Sequence, residues 1–223
     1  MRRPYFVTHL LKDIRLEWRS KDAINSMLFF ALLVVVVFSL AFDPTRSSSR
    51  QIAGGILCVA TMFASVSALN QAWARELRHQ VLDAQRMTPA PANSLFLGKV
   101  LSNFLFVSAV ELILTPVFIV FYNLHALGNG WLLALVLPLG TWALVVNGTF
   151  FAALSIRTRN RELLLPLLLF PLFIPALLGM VLAASYILTG EQDPSLWIKF
   201  LAGYDVIFTT VSLLLFDVVL HAE

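Results

Sequence analysis

Charged residues, cysteine and histidine are all scarce in this 223-residue chain. Only 13% of its residues are charged, against roughly 25% in an ordinary soluble domain, and 59% are hydrophobic. This balance excludes a disordered chain, a fibre and a soluble enzyme with a polar surface. The one cysteine, Cys58, excludes an internal disulfide, and its place in an apolar stretch is typical of a small core residue. The composition therefore predicts an integral membrane protein.

Motifs that would supply catalysis or cofactor binding are absent as well. The sequence has no GxxxxGK[ST] phosphate loop, no GxSxG nucleophile elbow and no CxxCH for covalent haem. Its four histidines do not have the spacing of a metal site. We therefore expect no catalytic residue, no metal and no directly bound cofactor. The net charge of +3 does not indicate nucleic acid, because the Lys and Arg residues flank apolar spans.

Long charge-free runs predict six membrane-spanning helices. About 20 residues, each rising 1.5 Å, cross the hydrocarbon core of roughly 30 Å. Pro166, Pro171 and Pro175 fall in the fifth run, which is therefore expected to be broken or re-entrant. The predicted spans are residues 24–42, 51–74, 100–122, 131–154, 163–190 and 200–220.

The distribution of positive charge predicts the orientation of these spans. Thirteen of the 16 Lys and Arg residues lie before the first span, between the second and third, or between the fourth and fifth. Cytoplasmic loops carry the excess of such residues. Both chain termini are therefore predicted to be cytoplasmic.

The segment before the first span has the pattern of an amphipathic helix. Within residues 5–19, apolar side chains fall in an arc of about 140°, and basic side chains lie opposite. Such a helix lies in the membrane interface, although a cytoplasmic extension of the first span is the alternative. The apolar arc consists of Phe6, Val7, Leu10, Leu11, Ile14 and Trp18.

The loop between the second and third spans is long and patterned. Leu77, Val81 and Ala84 recur at helical spacing and are surrounded by charged residues, before Pro89 and Pro91 end the segment. A short helix of this kind on the cytoplasmic face is predicted to be a docking surface for another protein. The alternative is a solvated loop helix without a partner.

Three acidic residues fall inside the predicted spans. Glu111 lies about twelve residues into the third, where a charge costs roughly 2.5–3.5 kcal/mol, so it must face protein or water. It is predicted either to contact a partner or couple helices, or to be a hydrogen-bonded structural carboxyl. Asp205 and Asp217 lie towards the two ends of the sixth span and are expected to be solvated. Twelve residues apart on one helix, they do not form the facing pair of an intramembrane aspartyl protease.

Several segments, in order along nearly the whole chain, resemble the CcmB family of ABC-2 type permeases. Gln80 departs from the family pattern, because related loops often carry Gly there. The matching segments are NSMLFF (25–30), GGIL (54–57), LN (69–70), RE (75–76), VLD (81–83), TPAP (88–91), LGK (97–99) and LPLLLFP (165–171).

The resemblance implies an all-α integral membrane fold with six transmembrane helices. It implies one permease domain, residues 1–223, with an interfacial amino-terminal helix at 1–23 and a cytoplasmic coupling loop at 75–99. A separate ATPase subunit would bind ATP and push on this loop, and two permease copies would form a homodimer. The residues expected to contact the ATPase are Arg75, Glu76, Arg78, Asp83 and Arg86.

The resemblance also implies a function in cytochrome c biogenesis at the bacterial inner membrane. The expected partners are membrane lipid, a CcmA-like ATPase, a CcmC-like haem-handling protein, a CcmD-like small protein and a CcmE-like haem chaperone. Haem would be held by those partners, and ATP hydrolysis would drive release of the haem-loaded chaperone, or haem export. One alternative is an ABC-2 exporter of lipid, drug or glycan; another is a membrane scaffold for haem-assembly proteins that transports nothing.

Overall fold

The computed structural model describes residues 5–42, 47–73, 91–122, 129–155 and 161–221, and every regular element among them is helical. A short 3₁₀ turn, Gly130–Leu132, precedes the fifth helix. The helices are α1 (Tyr5–Ser20), α2 (Asp22–Ala41), α3 (Ser47–Ala72), α4 (Ala92–Tyr122), α5 (Leu133–Leu154), α6 (Arg161–Thr189) and α7 (Ser195–His221).

The helices α2 to α7 confirm the six predicted spans, because each is long and apolar enough to cross a membrane. The third begins earlier than predicted: α4 starts at Ala92, whereas the charge of Lys99 placed the start near residue 100. The predicted 75–99 loop segment therefore ends in two turns of transmembrane helix.

The fifth span is not broken. The helix α6 runs without interruption from Arg161 to Thr189 although it contains three prolines. Each proline removes one backbone hydrogen bond, but a full break in hydrocarbon would leave several N–H and C=O groups without any partner. Keeping one helix is the smaller loss, so the prediction of a broken or re-entrant span was wrong.

The core of the bundle is α3, which packs against α2, α4, α5 and α6. Of its membrane-crossing part, 78% is buried, whereas α2, α4 and α7 are each 28% buried and direct large apolar side chains outwards. Gly54 of α3 lies so close to α6 that a Cβ atom there would meet the Ser185 nitrogen at 3.0 Å. Small residues permit such close contact between helices in a membrane.

The amino-terminal helix α1 is separate from α2 and lies against α4. The break is at Lys21, whose φ of 59° is left-handed, and Glu17 Oε1 accepts a hydrogen bond from the Ala23 N–H at 2.8 Å. The carboxylate thereby satisfies one of the free N–H groups at the start of α2. The predicted helix is confirmed, and the alternative of a continuous extension of the first span is wrong.

The face of α1 that packs on the bundle carries polar residues. Glu17 is buried, whereas Trp18 is 71% exposed, as expected for a side chain that faces lipid. His9, Asp13 and Glu17 recur every four residues along the docked face. Arg15, Trp18 and Arg19 are exposed on the remaining surface, whereas Val7, Leu10, Leu11 and Ile14 of the apolar arc are half-buried.

Candidate functional site

The five residues predicted to contact an ATPase, Arg75, Glu76, Arg78, Asp83 and Arg86, lie outside the described residues. The structure does describe the two points at which the segment 74–90 joins the bundle. These are Trp73, directly after α3, and Pro91, directly before α4. The side chains around these two points form the candidate site.

Trp73 and Lys99 bring the two attachment points together. The Lys99 Nζ lies 4.6 Å from the centre of the Trp73 ring, which is the geometry of a cation–π contact. Both side chains are buried, with Trp73 at 0% and Lys99 at 3% exposure. The end of α3 and the start of α4 are thus joined by a buried interaction.

The same ammonium group reaches α1. Lys99 Nζ donates to Asp13 Oδ2 at 3.4 Å, and Asp13 also pairs with Lys12 at 3.3 Å. Backbones come close here: a Cβ on Gly98 would lie 2.7 Å from the His9 Cβ and 3.2 Å from the Phe6 carbonyl oxygen. The glycine therefore permits α1 to reach the lysine that follows it, which gives the LGK motif a structural role.

Two hydrogen bonds extend this contact to α5. Trp73 Nε1 donates to the Thr149 carbonyl oxygen at 3.3 Å, and Asn103 Nδ2 donates to Thr149 Oγ1 at 3.2 Å. We call Asp13, Trp73, Lys99, Asn103 and Thr149 the Lys99 cluster. It connects α1, α4, α5 and the end of α3 at one end of the bundle.

A small polar cavity borders the Lys99 cluster. Its volume of about 50 Å³ is enough for at least one water molecule, and it lies between α1, α2, α3 and α4. Its polar lining residues are Asp13, Glu17, Gln71, Lys99, Ser102 and Asn103.

Sequence reasoning missed this cluster, because it placed Lys99 in the 75–99 loop and gave no role to Trp73. One signal was available: Asp13 and Glu17 lie one turn apart on a helix that is otherwise basic and apolar. Acidic groups on one face of an interfacial helix indicate a protein partner for that face, because anionic membrane surfaces repel them.

Glu111 lies in the interior, where three helices meet. Its Oε1 accepts a hydrogen bond from Thr61 of α3 at 3.1 Å, and its Oε2 accepts one from Thr141 of α5 at 3.0 Å. The side chain is 5% exposed. Both carboxyl oxygens therefore have a partner, and Glu111 bridges α3, α4 and α5.

The two acidic residues of α7 differ in environment. Asp217 is exposed, whereas Asp205 is only 8% exposed, so the prediction that Asp205 is solvated was wrong. The error came from counting residues to the end of the span, which gives depth but not the direction in which a side chain points.

The six apolar helices and the docked α1 define an α-helical membrane protein that crosses the bilayer several times. The family model described as CcmB protein matches residues 5–221. The chain belongs to the CcmB family, and its fold is that of an ABC-2 type permease.

Curated relatives agree with this assignment. Heme exporter protein B of Rhodobacter capsulatus is 32% identical over 169 residues, which cover 76% of this chain and 77% of that protein. Heme exporter protein B of Paracoccus denitrificans is 30% identical over 196 residues, 87% of this chain and 88% of that protein. Heme exporter protein B of Pseudomonas aeruginosa is 30% identical over 169 residues, covering 76% and 75%.

Proposed function

We propose that this chain is the permease subunit of an ABC complex for cytochrome c biogenesis in the bacterial inner membrane. A separate CcmA-like ATPase hydrolyses ATP and pushes on the segment 75–91. The movement drives haem delivery, either as release of a haem-loaded chaperone or as haem export. The observation that carries the proposal is the Lys99 cluster, which joins the end of α3 and the start of α4, on either side of that segment, to each other and to α1 and α5.

The Lys99 cluster can transmit force from the segment 75–91 to other helices of the bundle. Force on the segment acts on Trp73 and on the start of α4, which are held together by the buried cation–π contact. Asp13 passes the movement to α1, and Thr149 passes it to α5. Packed elements that move as rigid bodies are the usual means by which a local push becomes a change between two arrangements.

The proposed function also requires a particular orientation of the chain in the membrane. Both termini and the segment 75–91 face the cytoplasm, where ATP is available, and the basic side chains on the free surface of α1 face lipid headgroups. A second copy of the chain completes the permease. CcmC-like, CcmD-like and CcmE-like proteins hold and pass on haem, so this chain binds neither haem nor ATP itself.

The test is to purify the complex with its ATPase subunit and measure ATP hydrolysis and cytochrome c maturation. We expect Asp83→Arg to lower both, because it reverses a charge on the proposed contact surface. The control Glu191→Arg reverses an exposed charge at the opposite end of the bundle and should leave both unchanged. A scaffold that transports nothing predicts no effect of Asp83→Arg on hydrolysis. An ABC-2 exporter of lipid, drug or glycan predicts that maturation continues without this chain.

A further inference from the structure

Two polar side chains, one on α4 and one on α7, have buried oxygen atoms without a hydrogen-bond partner among the described residues. They are Ser108, through its Oγ, and Asp205, through both carboxyl oxygens. A buried polar group without a partner costs free energy, and a buried charge costs far more. The contrast with Glu111, which has a partner for each oxygen, shows that this bundle does satisfy carboxyl groups elsewhere.

Helix geometry places the two side chains at the same level. The Trp142 ring of α5 contacts Phe104 of α4, at 5.3 Å between ring centres, and its Nε1 donates to Thr209 of α7 at 3.0 Å. Ser108 lies four residues after Phe104 on α4, and Asp205 lies four residues before Thr209 on α7. Each is therefore about one helical turn away from the residue that contacts Trp142.

Both steps lead in the same direction, away from the Lys99 cluster, because α4 and α7 are antiparallel. This follows from the contact between Phe96 and Phe216, at 4.8 Å between ring centres, near the start of α4 and the end of α7. Asp205 is on the stripe of α7 that also carries Thr209, Ser212 and Phe216, which faces α4 and α5.

No basic side chain of the described helices is placed to neutralise Asp205. The helix α5 has no charged residue, and α6 has none from Leu165 onwards. On α4, Lys99 belongs to the Lys99 cluster nine residues from Ser108, and Glu111 bonds Thr61 and Thr141. On α7, Lys199 and Asp217 are both exposed. Tyr204, the neighbour of Asp205, is hydrogen-bonded to Asn147 and to the Leu172 carbonyl.

We propose that Asp205 and Ser108 form a binding site for one monovalent cation, H⁺ or Na⁺, between α4, α5 and α7. One carboxylate requires one positive charge, and the oxygen atoms of a carboxylate and a hydroxyl suit a hard cation rather than a soft metal. The inference goes beyond the proposed function, since it needs neither haem nor the ATPase. Failure of the cation test therefore leaves the Asp83→Arg experiment unaffected.

The test is the thermal unfolding midpoint of the full chain in lipid nanodiscs, measured across pH in NaCl and in choline chloride of equal ionic strength. A cation that binds only the folded state raises the midpoint, by about 3–5 °C for each tenfold increase in its concentration near saturation. If the cation is H⁺, the midpoint falls as pH rises, in both salts. If it is Na⁺, the midpoint at alkaline pH is higher in NaCl than in choline chloride.

Asp205→Asn is expected to remove this dependence, whereas Asp217→Asn, the exposed aspartate of the same helix, is expected to keep it. The same pH and salt dependence in the wild type and in Asp205→Asn would overturn the proposal. A second measurement needs no variant: labelling of the wild type by dicyclohexylcarbodiimide, mapped by mass spectrometry. Labelling of Asp205 that falls with rising pH, or with Na⁺ but not choline, supports the site. Labelling confined to Glu111 and Asp217 overturns it.

Discussion

Replacing Lys99 by Met tests whether the Lys99 cluster holds the bundle together at its α1 end. Met retains most of the apolar stem but loses the ammonium group, and with it the contact with the Trp73 ring and the ion pair with Asp13. A desolvated cation–π contact contributes about 1–2 kcal/mol. A hydrogen bond between charged groups contributes about 1.5–3 kcal/mol, but Asp13 keeps Lys12 as a partner, which reduces the loss. We expect a net destabilisation of about 2–3 kcal/mol.

The assay is thermal unfolding of the purified chain in detergent micelles, followed by circular dichroism. For a chain of this size, 2–3 kcal/mol corresponds to a fall in the midpoint of roughly 4–12 °C. Lys12→Met is the matched control, because it removes the less buried partner of the same Asp13, 32% exposed against 4% for Lys99, and should cost about 1 kcal/mol or less. A double-mutant cycle of Lys99→Met with Asp13→Asn should show a coupling energy of about 1 kcal/mol or more. Equal effects of the two Met variants, or strict additivity in the cycle, would refute the reasoning.

Three further predictions concern separate parts of the molecule. Gly98→Ala should loosen α1 from α4 and make α1 more sensitive to proteolysis. The control Gly203→Ala, whose new Cβ meets nothing within 4 Å, should be neutral or slightly stabilising. Equal proteolytic cleavage of both variants would contradict the close contact at Gly98. Glu111→Leu should destabilise the chain by about 1–3 kcal/mol in thermal unfolding and Glu111→Gln by less, because only Gln keeps an acceptor and a donor for the two threonines. Hydrogen bonds from Ser195 lower the pKa of Asp193 below its ordinary value of 3.8. The contribution of Asp193 to the stability of the start of α7 is therefore present at neutral pH and lost as pH falls through that lowered pKa. Amide hydrogen exchange at Ser195 should rise over that pH range, and an exchange rate that stays constant after correction for intrinsic chemistry would contradict this prediction.

The span count could be predicted from the sequence because it depends on one physical quantity, the length of apolar chain needed to cross the bilayer. The same reasoning failed at Lys99, since charge alone cannot distinguish a lysine in solvent from one buried against Trp73. It failed at α6 because proline rules from soluble proteins underestimate the cost of breaking a helix in hydrocarbon. The burial of Lys99 and the burial of Asp205 both depend on residues distant in sequence, and a local sequence pattern contains no information about such residues.

The docking of α1 on α4 has a consequence for biogenesis. Asp13 and Lys99 are 86 residues apart, so α1 leaves the ribosome long before its binding surface exists. At roughly 5–20 residues per second, the delay is about 4–17 s. During that interval α1 rests on the bilayer without its polar face covered, and it becomes fixed only when the third span has been inserted. Docking of α1 is therefore a late step of folding, which a nascent chain completes only after three of its six membrane spans have been inserted.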